Sequence, residues 1–171
     1  RIWTGSCNLS NSGTGGYNAN IACIIDSREI ADQYTEEFER MYNDKLFSKY
    51  KNKNSLINGA ITKIPGGKSI FIGFSPQGSV VEESLIPAIR GAESSIDVAI
   101  FFLTHKNITA ELIKAHQRGV EIRVIIDATS VSNGYTKHKI LREAGIPVKV
   151  ENWGGKMHMK TACIDGYKLI L

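Results

Sequence analysis

SIDVAIFFLTHKNITAELIKAHQRGVEIRVIID, residues 95–127, holds two short apolar runs around one amphipathic stretch. SIDVAIFF (95–102) and VEIRVIID (120–127) are predicted to be strands, with a helix between them from about Ile108 to Arg118, stopped by Gly119. The second strand is apolar almost without a break, the pattern of a strand covered on both sides. A strand, a helix and a strand of these lengths imply a right-handed crossover and parallel neighbours in a sheet between helical layers.

The alternation continues in both directions. IFIGF (70–74) is a predicted strand, and Ser79 with Glu82 caps a helix through about Ala92 that presents Leu85 and Ile89 on one face. A helix from about Thr136 to Ala144 ends at Gly145, and PVKVE (147–151) is the next strand. The pattern then changes, because MHMKTACID and YKLIL read as two strands joined at Asp165-Gly166, a favoured type I′ hairpin turn. The expected class is therefore α/β, with a mixed, mainly parallel β-sheet flanked by helices on both faces. Upstream, IACII (21–25) is a short strand, and Asp26 with Glu29 opens a helix whose stripe is Ile30, Tyr34, Phe38 and Met41. Residues 43–69, polar and closed by Pro65-Gly66-Gly67, read as a connecting segment.

A chain of 171 residues with 42% hydrophobic content is long enough for one ordinary core. It has no run of about 18 apolar residues, so no membrane-spanning helix is expected. The formal net charge of +4, densest from Lys45 to Lys53 and from Lys63 to Lys68, is a mild lean toward anionic partners. Cys7, Cys23 and Cys163 show no CxxC spacing and indicate neither a disulfide framework nor a zinc site, with Cys23 and Cys163 expected to be buried. His105, His116 and His138 are expected in a loop or on helix surfaces with structural or solvated roles.

KMHMKTACID (156–165) breaks the apolar pattern with His158 and Lys160. Side chains two apart in a strand share a face, so an imidazole and an ammonium should share one patch. The spacing His158-x-Lys160-x-x-x-x-Asp165 resembles the HKD motif of the phospholipase D superfamily, which Gly-Ser-x-Asn follows six residues later. Six residues follow Asp165 here, while Gly5-Ser6-Cys7-Asn8, after the strand-like RIWT, is similar to that second piece. FSPQGSVVEESLIPAI and RGVEIRVIID share in the resemblance.

The resemblance implies a phospholipase D-like fold of two repeats about a pseudo-twofold axis, incomplete at both ends of this sequence. Residues 1–44 would be the tail of the first repeat, 45–69 a linker and 70–171 most of the second repeat. A second HKD motif is expected before Arg1. The implied catalytic residues are His158, Lys160 and Asp165, with Ser6, Asn8 and Lys160 binding phosphate and with neither metal nor cofactor. In the family one histidine becomes a phosphohistidine and the histidine of the other repeat protonates the leaving oxygen. Imidazole, with an ordinary pKa of about 6.5, can attack phosphorus as the neutral base near pH 7, while an ammonium neutralises charge on the phosphoryl oxygens. Many members also orient the histidine through a glutamate in an Asn-Glu-Asn context, where this chain has Asn18-Ala19-Asn20. Trp153, just before the motif, is expected to wall the pocket mouth or anchor a loop. The expected substrate is a phospholipid headgroup phosphodiester, with a DNA or RNA phosphodiester as the alternative. Ala19 also suggests a third reading, a non-catalytic binding module.

Overall fold

The computed structural model describes residues 1–51, 60–76 and 78–171. They form two compact units, Arg1–Thr4 with Cys23–Ser84, and Gly5–Ala22 with Leu85–Leu171.

The chain opens with β1 (Ile2–Gly5), the short α1 (Asn11–Thr14) and β2 (Ala22–Ile25), and β1 pairs with β2. The smaller unit adds α2 (Arg28–Tyr42) and the antiparallel hairpin of β3 (Ala60–Ile64) and β4 (Lys68–Ile72). The start of α2 differs from the expected capping box. Ser27 is the cap, accepting the Ile30 N–H at 3.3 Å, whereas Asp26 holds Arg1 through two bonds of 2.6 and 2.9 Å. Ile30 packs with Ile2 and Ile72, while Phe38, expected on the core stripe, is exposed and stacks on Tyr42.

The hairpin falls partly within the segment expected to connect repeats. Thr62 turns inward and Ile61 outward, the period-two pattern of a strand with one covered face, and the inward Thr62 hydroxyl donates to Glu29 and accepts from Gln33. The lysine- and asparagine-rich residues 52–59 lie outside the described residues.

The single helix expected through Ala92 is replaced by a π-helical turn, Val81–Leu85, followed by α3 (Ile86–Arg90). Pro87 has no N–H to donate to a carbonyl four residues back, which interrupts the α-helical ladder there. Next come β5 (Ser95–Ile100), α4 (Lys106–Gln117), β6 (Glu121–Asp127), α5 (Ala128–Ser132), α6 (His138–Glu143), β7 (Val148–Glu151), β8 (Lys160–Ile164) and β9 (Lys168–Ile170). The sheet order is β7-β6-β5-β8-β9, with β5, β6 and β7 parallel and β8 and β9 antiparallel, so the mixed α/β class is present as expected.

Both crossovers, β5 to β6 and β6 to β7, step the same way across the sheet, so right-handed connections put their helices on one face. That face carries Ile96, Val98, Ile122, Val124, Ile126 and Ile164, packed against Leu112, Ala115 and Leu141 from α4 and α6. On the other face Asp97, Arg123, Ile125, Cys163 and Leu169 line an open groove, with Arg123 held to Asp97 by two bonds of 2.7 Å. Cys163 is accordingly half-buried, as is Cys23, and all three cysteines are free thiols. The β8–β9 turn has positive φ at both Asp165 (53°) and Gly166 (72°), and the Tyr167 N–H reaches Ile164 O at 3.2 Å, which is the expected type I′ geometry. His138 is buried, where a helix surface was expected, and burial lowers its pKa. His105 caps α4 through Nδ1.

Candidate active site

His158 stands at the approach to β8 and not within it, because the strand begins at Lys160. Three ties hold this approach. Met157 forms a parallel bridge with Ala19, whose N–H donates to Lys156 O at 2.8 Å and whose carbonyl accepts the His158 N–H at 2.9 Å. The Asn18 side chain accepts the Lys156 N–H at 3.0 Å. Asp127, buried at the end of β6, accepts the Met157 N–H through Oδ2 at 2.8 Å and the Thr129 N–H through Oδ1 at 2.8 Å. One carboxylate thus caps α5 and tethers the histidine's strand.

The His158 ring lies between two groups. On one side Nδ1 is 3.0 Å from Ser6 O and 3.2 Å from Asn20 Oδ1. Both are acceptors, an arrangement that favours hydrogen on Nδ1 and, in the neutral ring, a lone pair on Nε2. On the other side Lys160 Nζ donates to His158 O at 2.8 Å and is 3.2 Å from each ring nitrogen. The shared patch expected from spacing is therefore present, although His158 is outside the strand. Phe101 backs it, with its ring centroid 5.2 Å from that of His158 and 5.8 Å from Lys160 Nζ. Burial lowers the pKa of Lys160.

Ser6 reaches His158 because Gly5 precedes it. A Cβ on Gly5 would stand 2.2 Å from Ile21 O, at a φ of 147° that side chains disfavour. Ser6 then exchanges backbone and side-chain bonds with Ile21 and donates its hydroxyl to Asn20 Oδ1 at 3.0 Å. Asn8 is exposed, and its carbonyl takes the Ser10 N–H. Nearby, the Trp153–Gly155 loop packs tightly on Tyr17, since a Cβ on Gly155 would meet Tyr17 O at 1.8 Å.

Asp165 is not part of this cluster. Five residues along β8 from Lys160, at about 3.3 Å per residue, place it roughly 16 Å away. Its carboxylate accepts the backbone N–H groups of Glu93, Ser94 and Ser95 and the Ser94 hydroxyl. The Ser95 N–H first, then those of Ser94 and Glu93, hold its carboxyl well below the usual carboxylate range. Asp165, expected with the catalytic residues, here anchors the β8–β9 turn to the start of β5. Asn20 and Asp127, absent from the expected set, touch His158 and its strand directly. Among the described residues no group of three or more His, Cys, Asp or Glu side chains is placed to hold a metal, and no helix is long and apolar enough to cross a membrane.

The sequence model of the family described as "Cardiolipin synthase, PLD-like domain" matches residues 85–171, just over half the chain. The chain belongs to the phospholipase D superfamily. It is similar to the mitochondrial cardiolipin hydrolase of Homo sapiens, at 32% identity over 95 residues that cover 56% of this chain and 38% of that protein. It is also similar to the phospholipase D of Rickettsia prowazekii (strain Madrid E), at 28% identity over 136 residues, 80% of this chain and 64% of that protein. Among solved structures, the phospholipase D family member Nuc from Salmonella typhimurium matches with a TM-score of 0.48 and 26% identity, over 53% of this chain and 60% of that one. The chain spans less than two thirds of the length of each of these relatives.

Proposed function

We propose that this chain carries one half-site of a phosphodiesterase of the phospholipase D type, acting on phospholipids, with His158 as the nucleophile. The observation that carries the reading is the placement of His158 Nδ1 against Ser6 O and Asn20 Oδ1, which leaves Nε2 as a free base beside an ammonium. Nε2 attacks phosphorus, and the N–P bond forms as the P–O bond to the leaving alcohol breaks. The departing oxygen keeps the electron pair and takes a proton from an acid, which the family resemblance assigns to a histidine of the other repeat, before Arg1. Water then attacks phosphorus and gives a proton back to the group that served as acid, and its O–P bond forms as the N–P bond breaks, which releases the phosphomonoester and returns the electron pair to Nε2. Lys160 offsets charge on the non-bridging oxygens and Asn8 supplies a further hydrogen bond, while Ser6, expected to do the same, has its one hydroxyl hydrogen on Asn20 Oδ1 and serves the site by holding its carbonyl at His158. Neither step calls for a metal ion. The names of the relatives, phospholipase D and cardiolipin hydrolase, support the choice of lipid.

The test incubates the full-length protein with phosphatidylcholine or cardiolipin vesicles and with single- and double-stranded DNA, beside His158→Ala. Release of phosphatidate by the wild type, with at least about a thousandfold loss in the variant, is expected. Nicked DNA without phosphatidate would move the substrate to nucleic acid. Equal behaviour of wild type and variant on every substrate would remove the catalytic reading in favour of a binding module.

A further inference from the structure

Asn20 touches both halves of the cluster, and its carboxamide is oriented from end to end. Nδ2 donates to Gly13 O at 3.0 Å, so Oδ1 faces the Ser6 hydroxyl at 3.0 Å and His158 Nδ1 at 3.2 Å. The reverse orientation would set Oδ1 against the Gly13 carbonyl, acceptor against acceptor, and would aim the NH2 group at a nitrogen that also faces Ser6 O. The second acceptor on Nδ1 depends on the same amide, because the Ser6 backbone is located through its hydroxyl by Asn20 and Ile21.

We propose that Asn20 is a positioning residue that locks His158 in the tautomer with hydrogen on Nδ1 and the lone pair on Nε2, and does so without bringing a charge beside the ring. The inference rests on the reading of His158 as the nucleophile and adds how the attacking nitrogen is selected. A free histidine side chain in water favours the opposite tautomer, with hydrogen on Nε2, so the protein must impose the reactive one. A carboxamide does this as an acceptor alone. It can orient the ring but cannot take up its proton. The 138-residue separation of Asn20 and His158 makes the selection a product of the folded state.

The test labels the full-length protein with 15N and reads both His158 ring nitrogens by long-range 1H–15N correlation, at a pH where the ring is neutral. Asn20→Leu and Asn20→Asp are read in parallel, each with kcat and KM on a soluble short-chain phospholipid. The wild type is expected to show Nε2 as the unprotonated nitrogen. Asn20→Asp keeps an acceptor for Nδ1 but sets its second oxygen against the Gly13 carbonyl and adds the charge the amide avoids, so it should keep hydrogen on Nδ1 with a lower kcat than wild type. Asn20→Leu should shift toward the solution tautomer and lose at least about tenfold in kcat with KM changed by less than about threefold. A wild type with hydrogen on Nε2 would overturn the inference. So would an Asn20→Leu variant with unchanged tautomer and kcat, or one that loses only thermal stability. A wild type with the expected tautomer and no phosphodiesterase activity would instead strike the proposed function and leave the tautomer lock standing.

Discussion

Asp165 and Ser94 are joined twice, since Asp165 Oδ1 accepts the Ser94 N–H at 2.7 Å and the Ser94 hydroxyl at 2.9 Å. With Glu93 and Ser95 donating as well, the beginning of β5 is fastened to the end of β8. These donors favour the ionised carboxyl, so its native pKa lies below that of the unfolded chain. The resulting stability is fully present above the ordinary carboxylate pKa of about 3.9 and is lost as pH falls through the lower native value. Thermal melts of Asp165→Ala should therefore show a lower Tm than wild type at pH 7, with the gap narrowing only below about pH 4. A variant as stable as wild type at pH 7 contradicts the anchoring role.

Lys160 should matter to rate far more than to folding. Its ammonium is exposed enough to meet substrate, and its bonds go to His158. Replacement by Met should lower kcat by about 10²- to 10³-fold while leaving the Tm nearly unchanged. Arg should not restore the rate, because a planar guanidinium cannot take the place of a compact ammonium over the imidazole. Steady-state kinetics and calorimetry on the same preparations check both statements, and a near-wild-type Lys160→Met enzyme refutes them.

Asp127 is a joint between the core and the site. Truncation to Ala leaves the buried Met157 N–H, and the more exposed Thr129 N–H at the start of α5, without their acceptor, at a cost of about 1–3 kcal/mol. Since the Met157 bond holds the strand one residue before His158, kcat should fall as well, and chemical denaturation with parallel kinetics should report both losses. Loss of stability with full activity retained would show that the tether does not position His158.

The αβ core was legible because strands and helices there carry strong periodicity. β5, α4, β6 and β7 fall close to the expected ranges, since their inward residues repeat at intervals of two or of three to four. α5 was not legible, because Ala-Thr-Ser-Val-Ser is short and built mainly of poor helix formers, and Asp127, its cap, was read only as the end of a strand. β3 was obscured by the polar, lysine-rich run around it, and the interruption of the helix before β5 was hidden because Leu85 and Ile89 keep a helical spacing across Pro87. At the site, His158 and Lys160 stood out through spacing, and Ser6 through the resemblance of Gly5-Ser6-Cys7-Asn8 to the family's second motif. Asn20 did not, because its role depends on a contact between residues far apart in the chain, and nothing local distinguishes an asparagine that reaches a histidine from one that closes a turn. Asp165 was legible as a turn residue, whereas its hold on the start of β5 was not, because its partners there are backbone groups far away in the chain.

Glu111 tests the electrostatics of the helical layer independently of the site. Arg90 holds it by two bonds of 3.0 Å and Lys114 by one of 3.0 Å, and these partners, Arg90 first, pull its pKa down to about 2. The carboxylate's contribution is present above the ordinary range and lost as pH falls toward about 2. Glu111→Gln should melt lower than wild type at neutral pH, and the two should converge as the solution is acidified through that window. A gap that widens on acidification would reverse the sign assigned here.

The central claim is that His158 Nε2 forms a bond to phosphorus. Quenching the full-length protein with neutral denaturant during turnover of a short-chain phosphatidylcholine, followed by peptide mass spectrometry kept out of acid so that phosphoramidates survive, tests it most directly. The account predicts a phosphatidyl adduct on the peptide bearing His158, absent from His158→Ala. An active enzyme with no adduct, or with its adduct on another residue, would contradict it.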